Sequence, residues 1–194
     1  MRKEILLAHF RKLSVRRYQH FLAAFSSIER AWEVEFDELK KINWDNDLIH
    51  EFLTWRDNLD VEKIEQTLQK EGITCLTRDD QNYPALLKEI YDPPFCLFVR
   101  GTVKADDFNL AVVGTRKYST YGKQATEELI APLAREGITI VSGLAFGIDS
   151  IAHAAAVRAK GRTIAILGSG NNRAHIYPVN HLRLADEIIA AIGK

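Results

Sequence analysis

Residues 111–122, AVVGTRKYSTYG, run from an apolar stretch through a lone glycine, Gly114, into a loop with two cations, Arg116 and Lys117, and two phenols, Tyr118 and Tyr121. These residue types in this order suit an anion. An arginine fork can hold a phosphate through two hydrogen bonds, a lysine adds a point charge, and a tyrosine face can stack on a base. Two later apolar runs also finish in small residues, Ser142-Gly143 and Gly168-Ser169-Gly170, where a ligand can come close to the backbone. The common nucleotide cradles are missing: the first loop has no G-x-G-x-x-G and no G-x-x-x-x-G-K-[ST]. What remains is phosphate capture by side chains at a glycine-edged rim.

Such loops converge when their strands share one parallel sheet. NLAVVG (109–114), GITIVSG (137–143) and RTIAILGSG (162–170) are continuous apolar runs of the kind buried on both faces of a parallel sheet. Between them lie two helical stretches that end at Gly137 and Gly161. The pattern predicts a βαβαβ unit with ligands bound outside the carboxyl ends of its strands. Three strands make half of a doubly wound sheet, and NHLRLADEIIAAIGK predicts a last helix running to the C-terminus. An uncovered half-sheet would leave an edge open to association, so a chain acting only through protein contacts is one possible reading.

The first 72 residues read differently. Apolar groups recur at three- and four-residue spacing, as in YQHFLAAF and DLIHEFLTW, which predicts a bundle of short helices with Trp32, Trp44 and Trp55 in its core. Asp60 is placed to cap a helix that ends at Gly72. Short strands ITCLT and FCLFVRG follow, with Pro84 starting a helical turn and Pro93-Pro94 stopping it. The expected class is α/β: a small helical domain over 1–72, then a partial Rossmann-like parallel sheet with flanking helices over 73–194.

The 26 basic and 26 acidic side chains of the whole chain cancel, yet from Gly137 to Ala185 Asp149 is the only acidic residue, against Arg158, Lys160, Arg162, Arg173 and Arg183. Arg116, Lys117 and Lys123 add to this field, which can draw a polyanion. Lys160, Arg162 and Arg173 are candidates for a phosphate-contacting rim. Asp149 opens a helix and is expected to be its N-cap, and His153 is expected to be packed or exposed rather than catalytic. Cys75 and Cys96 sit in apolar runs without CxxC spacing and read as buried free thiols. No run reaches the roughly 18 apolar residues of a membrane helix, and a charged N-terminus argues against a signal peptide, so a cytoplasmic location is expected. No metal-ligand cluster, cofactor motif or paired carboxylates stand out.

VVGTRKYSTYG, VSGLAFGIDSIAH and TIAILGSG followed by IYPVNH resemble, in order and spacing, the signature blocks of the DNA-processing protein A (DprA, or Smf) family, and DDQNYPALLKEIYDPPFCLFVRG resembles its lead-in. The helical N-terminus is similar to the helix-hairpin-helix or SAM-like domain found there, although residues 1–71 lack the glycines of a classical hairpin. The resemblance implies a single-stranded DNA-binding protein of natural transformation and recombination, without established turnover. It also implies dimerisation, protection of incoming DNA and help in loading the RecA recombinase. Arg116 would be the strand-binding arginine, with Gly114 and Thr115 shaping its loop. Ser142, Gly143, Gly147 and Asp149 would form the second block, and Gly168, Gly170, Tyr177 and Pro178 the third. Phe146 stands where many members carry a basic residue and offers an aromatic face instead. The family domain normally continues further, so the chain reads as a shortened copy. The alternative is a nucleotide-binding or nucleotide-hydrolysing protein of the lysine-decarboxylase-like type, whose PGGxGTxxE loop has no counterpart here.

Overall fold

The computed structural model describes residues 1–191; the last three residues of the expected C-terminal helix lie outside the described residues. The chain divides into two compact units, one made of Met1–Lys70 with Thr74–Phe98, the other of Glu71–Ile73 with Val99 onward.

In the first unit, six short helices run in order: α1 (Lys3–Leu7), α2 (Val15–Phe25), α3 (Ile28–Trp32), α4 (Phe36–Lys41), α5 (Asn46–Asp57) and α6 (Val61–Lys70). Side-chain oxygens start several of them. Ser14, Ser27 and Asp45 accept from Arg17, Arg30 and Leu48 N–H, and Asp60 accepts from Lys63 N–H at 2.9 Å, as its position predicted. Without glycine, left-handed turns fall to Ser26 and Asn43, at φ 62° and 60°. Phe10, Phe21, Trp44 and Phe52 fill the core, with Trp32 and Trp55 packed against it. Arg56 donates to the carbonyls of Trp32 and Val34 at 2.9 and 2.7 Å, which ties α5 to the end of α3.

A two-stranded sheet follows, β1 (Ile73–Thr77) and β2 (Cys96–Arg100), with the helical turn α7 (Ala85–Lys88) between them after Pro84. Arg2 reaches Cys75 O at 3.2 Å, Thr77 Oγ1 at 3.0 Å and Asp80 Oδ2 at 2.8 Å. Phe95 stacks on Tyr18 with centroids 3.9 Å apart, which joins this segment to the helical core. Cys75 and Cys96 are free, as expected, but half-buried rather than enclosed.

The second unit holds the predicted βαβαβ order. Strands β3 (Asn109–Ala111), β4 (Thr139–Ser142) and β5 (Thr163–Ala165) pair in parallel in chain order, with Leu110 opposite Ile140 and Ile140 opposite Thr163. Helices α8 (Thr120–Arg135), α9 (Ile148–Arg158) and α10 (Leu182–Ala191) flank them. Val112 and Ile140 pack with Ile130, Ala134, Ala152 and Ala155 in one core, and Ala165 joins Leu144, Ile176 and Ile188 in another.

The expectation that all three strands are buried on both faces holds only for the central one. Thr139, Ile140 and Ser142 are buried, whereas all of β3 is exposed and Val113 and Ile166 stand 84% and 64% open. The reason is topological. Strands taken in chain order with crossovers of one hand put both crossover helices on one face. By alternation Ala111, Val113, Ile164 and Ile166 turn to the other face.

Candidate functional site

The carboxyl ends of β3 and β4 interlock. Gly147 has φ +87°, and a Cβ there would stand 2.1 Å from Thr115 O and 2.7 Å from Arg116 Cα. Only glycine admits both that backbone and that approach. Ile148 N–H, in the first turn of α9, donates to Thr115 O at 3.2 Å, and a Cβ on Gly114 would lie 2.6 Å from Ile148 Cγ1. The Gly114–Arg116 loop therefore rests on the N-terminus of α9, where unpaired N–H groups favour negative charge. Thr115 Oγ1 accepts from Lys117 N–H and donates to Lys117 O, both at 3.1 Å, which closes the turn. Ser119 then caps α8 by accepting from Gly122 N–H.

Arg116, Lys117, Tyr121 and Lys123 are exposed. Among the described residues the Arg116, Lys117 and Lys123 side chains form no ion pair or hydrogen bond; Lys104, Arg135 and Lys160 form none either, but these precede β3, β4 and β5 and so lie toward the amino edge of the sheet. The basic stretch that read as one-signed is largely neutralised by acids outside it: Arg158 pairs with Glu127 at 2.8 Å, Arg162 with Asp107 at 2.9 Å, Arg173 with Asp186 at 2.6 Å and Arg183 with Glu187 at 3.0 Å.

Two expected rim residues sit elsewhere. Lys160 and Arg162 precede β5 and so lie at the amino edge of the sheet, the edge opposite Arg116. Arg162 is also committed to structure: its second branch donates to Thr102 O at 2.7 Å and its side chain is 17% exposed. Arg173 is on the carboxyl side, after β5, but its guanidinium spans both Asp186 oxygens and its backbone N–H donates to Glu71.

Of the other expected residues, Ser142 and Asp149 are turned into the frame of the rim, whereas Gly168 and Gly170 are exposed. Ser142 is buried, and its hydroxyl donates to Val112 O at 2.7 Å, stitching β4 to the end of β3. Asp149 does not cap α9. Gly147 holds the cap position, and Asp149, in the first turn, accepts from Gly143 N–H at 3.1 Å, so its charge orders the preceding loop. Gly170 is packed against His175 Cβ, while Gly168 has open space around it. His153 is fully buried. Its Nδ1 lies 2.7 Å from Thr163 Oγ1, and since that hydroxyl donates to Ile140 O, the imidazole carries its proton on Nδ1. Burial lowers its pKa to about 4; Asp149 opposes the shift and His181 adds to it.

An aromatic group that the sequence reading only partly assembled stands beside this loop. Phe146 meets Tyr177 edge-on at 6.4 Å and His181 at 5.2 Å. His181 Nδ1 also lies 2.8 Å from Leu144 O, and Leu144 is fully buried at φ +56°. His181 thus fixes the backbone that presents Phe146. It lies within the IYPVNH string, yet nothing local marks it, because its partner is 37 residues away.

A family model described as DNA recombination-mediator protein A matches residues 74–193. The DNA processing protein DprA of Bacillus subtilis (strain 168) is 43% identical over 122 residues, 62% of this chain and 40% of that protein. Protein Smf of Synechocystis sp. is 34% identical over 172 residues, 86% of this chain and 43% of that protein. The chain thus spans about two fifths of the length of these relatives. Among solved structures, the X-ray structure of DNA processing protein A from Streptococcus pneumoniae matches with a TM-score of 0.75 and 30% identity, over 97% of this chain and 64% of that one. A second, of DNA processing protein A from Helicobacter pylori, is described as giving insights into its unique single-stranded DNA binding mode. It matches with a TM-score of 0.52 and 33% identity, over 60% of this chain and 51% of that one.

Proposed function

The chain belongs to the DNA recombination-mediator protein A family, and on that premise we propose that the loop Gly114–Lys117 binds single-stranded DNA without reading its sequence. The observation that carries this is the charge pattern. Ion pairs quench Arg158, Arg162, Arg173 and Arg183, whereas Arg116, Lys117 and Lys123 stay open at the carboxyl edge of the sheet. Arg116 and Lys117 take phosphates and Tyr121 and Phe146 stack bases. Thr115, Gly143 and Gly147 hold the frame, and Gly168 and Gly170 border it. Each stacked base contributes about 1–3 kcal/mol, and the cations release counterions. The mechanism is binding rather than turnover, and no observation favours a nucleotide hydrolase: Asp149, in the first turn of α9, is engaged by Gly143 N–H.

The wider reading rests on the family. The chain works in the cytoplasm in natural transformation and recombination, protects incoming single strands and promotes RecA loading, acting as a homodimer. The domain division at residue 72 belongs to the same proposal and is supported by a family match that begins at residue 74, while Thr74–Phe98 packs with the helical unit.

Anisotropy of a labelled poly-dT strand over a salt series tests the site. Two phosphate contacts predict a log–log salt slope of about −1.4, and Arg116→Ala is expected to weaken binding and flatten the slope by about 0.7. A folded Arg116→Ala chain with unchanged affinity and slope would overturn the assignment.

A further inference from the structure

The two cysteines lie 21 positions apart in sequence yet on the two partner strands of one sheet, Cys75 in β1 and Cys96 in β2. Their side chains interact with each other. Neighbouring strands run about 4.8 Å apart, and a disulfide joins Cα atoms roughly 4.4–6.8 Å apart, so a pair on adjacent strands is the arrangement in which such a bond is found. Both residues are half-buried, so a small reagent can reach them.

We propose that Cys75 and Cys96 are a reversible redox pair whose disulfide pins β1 to β2, formed by exchange with a small-molecule disulfide of the glutathione class.

The surroundings make the two thiols unequal. Contact with the Cys96 side chain lowers the Cys75 pKa against the effect of burial, and the Arg2 guanidinium, held on Cys75 O at 3.2 Å and paired with Asp80, favours the thiolate further. The same contact, with burial, raises Cys96. Cys75 is therefore the attacking sulfur and Cys96 the resolving one.

In the first step the Cys75 thiolate attacks one sulfur of RSSR, forming Cys75–S–SR and expelling RS⁻, which takes up the proton Cys75 lost. In the second, Cys96 gives up its proton and attacks the Cys75 sulfur; the second RS⁻ leaves and takes that proton. Two protein thiols are oxidised by two electrons in all, and RSSR is reduced to two RSH. The new bond closes the segment 76–95, which carries the exposed Leu86 and Tyr91 and ends at Phe95 on Tyr18. Such a closure restricts the unfolded chain and raises stability.

The test treats the full chain with oxidised glutathione, quenches with acid, alkylates free thiols and measures intact mass. The expected product has lost two hydrogens, carries no glutathione, has no free thiol and melts higher than the reduced chain; dithiothreitol restores both thiols. Cys96→Ser should stop at a stable glutathione adduct on Cys75, and Cys75→Ser should react at least about tenfold more slowly. Wild-type chain that keeps glutathione adducts, or keeps both thiols under conditions that oxidise free glutathione, would overturn the proposal. So would equal rates for the two serine variants. If a variant melts as an unfolded chain, the mass and thiol count of the wild type decide alone.

Discussion

Aromatic side chains serve opposite ends in the two parts of the molecule. Of the 13 in residues 1–100, only Tyr91 is exposed, and Phe10, Phe21, Trp44 and Phe52 touch one another in a single core. All five in residues 101–194 (Phe108, Tyr118, Tyr121, Phe146 and Tyr177) are exposed. A ring left in water forgoes the burial that would stabilise the fold. The sheet unit fills its interior with alanine, isoleucine and leucine instead, and four of its five rings follow the carboxyl ends of strands, where a base could lie on them. Phe108 precedes β3 and is the exception.

That contrast can be broken at its strongest point first. Phe52→Ala removes a fully buried ring and is expected to cost about 3–5 kcal/mol in chemical denaturation, with strand affinity of the remaining folded chain unchanged. A loss below that of an exposed tyrosine would erase the distinction between the two sets of rings.

A polar counterpart sharpens it inside the sheet unit, whose largest buried polar ring is His153. Its pKa falls from the usual 6.5 when unfolded to about 4 when folded. A depressed value means that its contribution is complete above pH 6.5 and lost as pH drops through about 4, some 3 kcal/mol at most. The acid shift in melting temperature should therefore shrink in His153→Gln. An identical pH profile in the variant would assign the acid sensitivity elsewhere.

The smallest effect on stability is expected at Tyr121, which is 80% exposed. Tyr121→Ala should change stability by no more than about 0.5 kcal/mol while weakening poly-dT binding by about 1–3 kcal/mol. Loss of stability with binding intact would place this ring among the structural ones.

Local chemistry made much of this fold legible from sequence. The three apolar runs, the cap at Asp60 and the glycine-edged strand ends depend on neighbours a few residues away, and the α/β class and the alternation of strands and helices followed from them. The site was legible as a loop and illegible as a surface. Arg162 and Asp107 are 55 positions apart, and Arg173 and Asp186 meet only because the segment after β5 folds back on α10. Counting charges in a window could not reveal that those cations were taken. Asp149 looked like a cap because caps are local, but the N–H it satisfies belongs to a loop whose path is set by the φ values of Leu144 and Gly147. Ser142 likewise looked available for a ligand until the register of β3 on β4 put Val112 O beside its hydroxyl.

The fit of Thr115 and Arg116 over Gly147 bears on how this surface can be borrowed or varied. Residues 113–118 are not a portable cassette. Moved alone onto another parallel sheet they would bring the cations but not the notch that seats them, and a bulkier residue at 147 in the recipient would push the loop off its bed. The smallest transplantable piece is a pair of strand ends, 113–118 together with 142–149, and drift in one is constrained by the shape of the other.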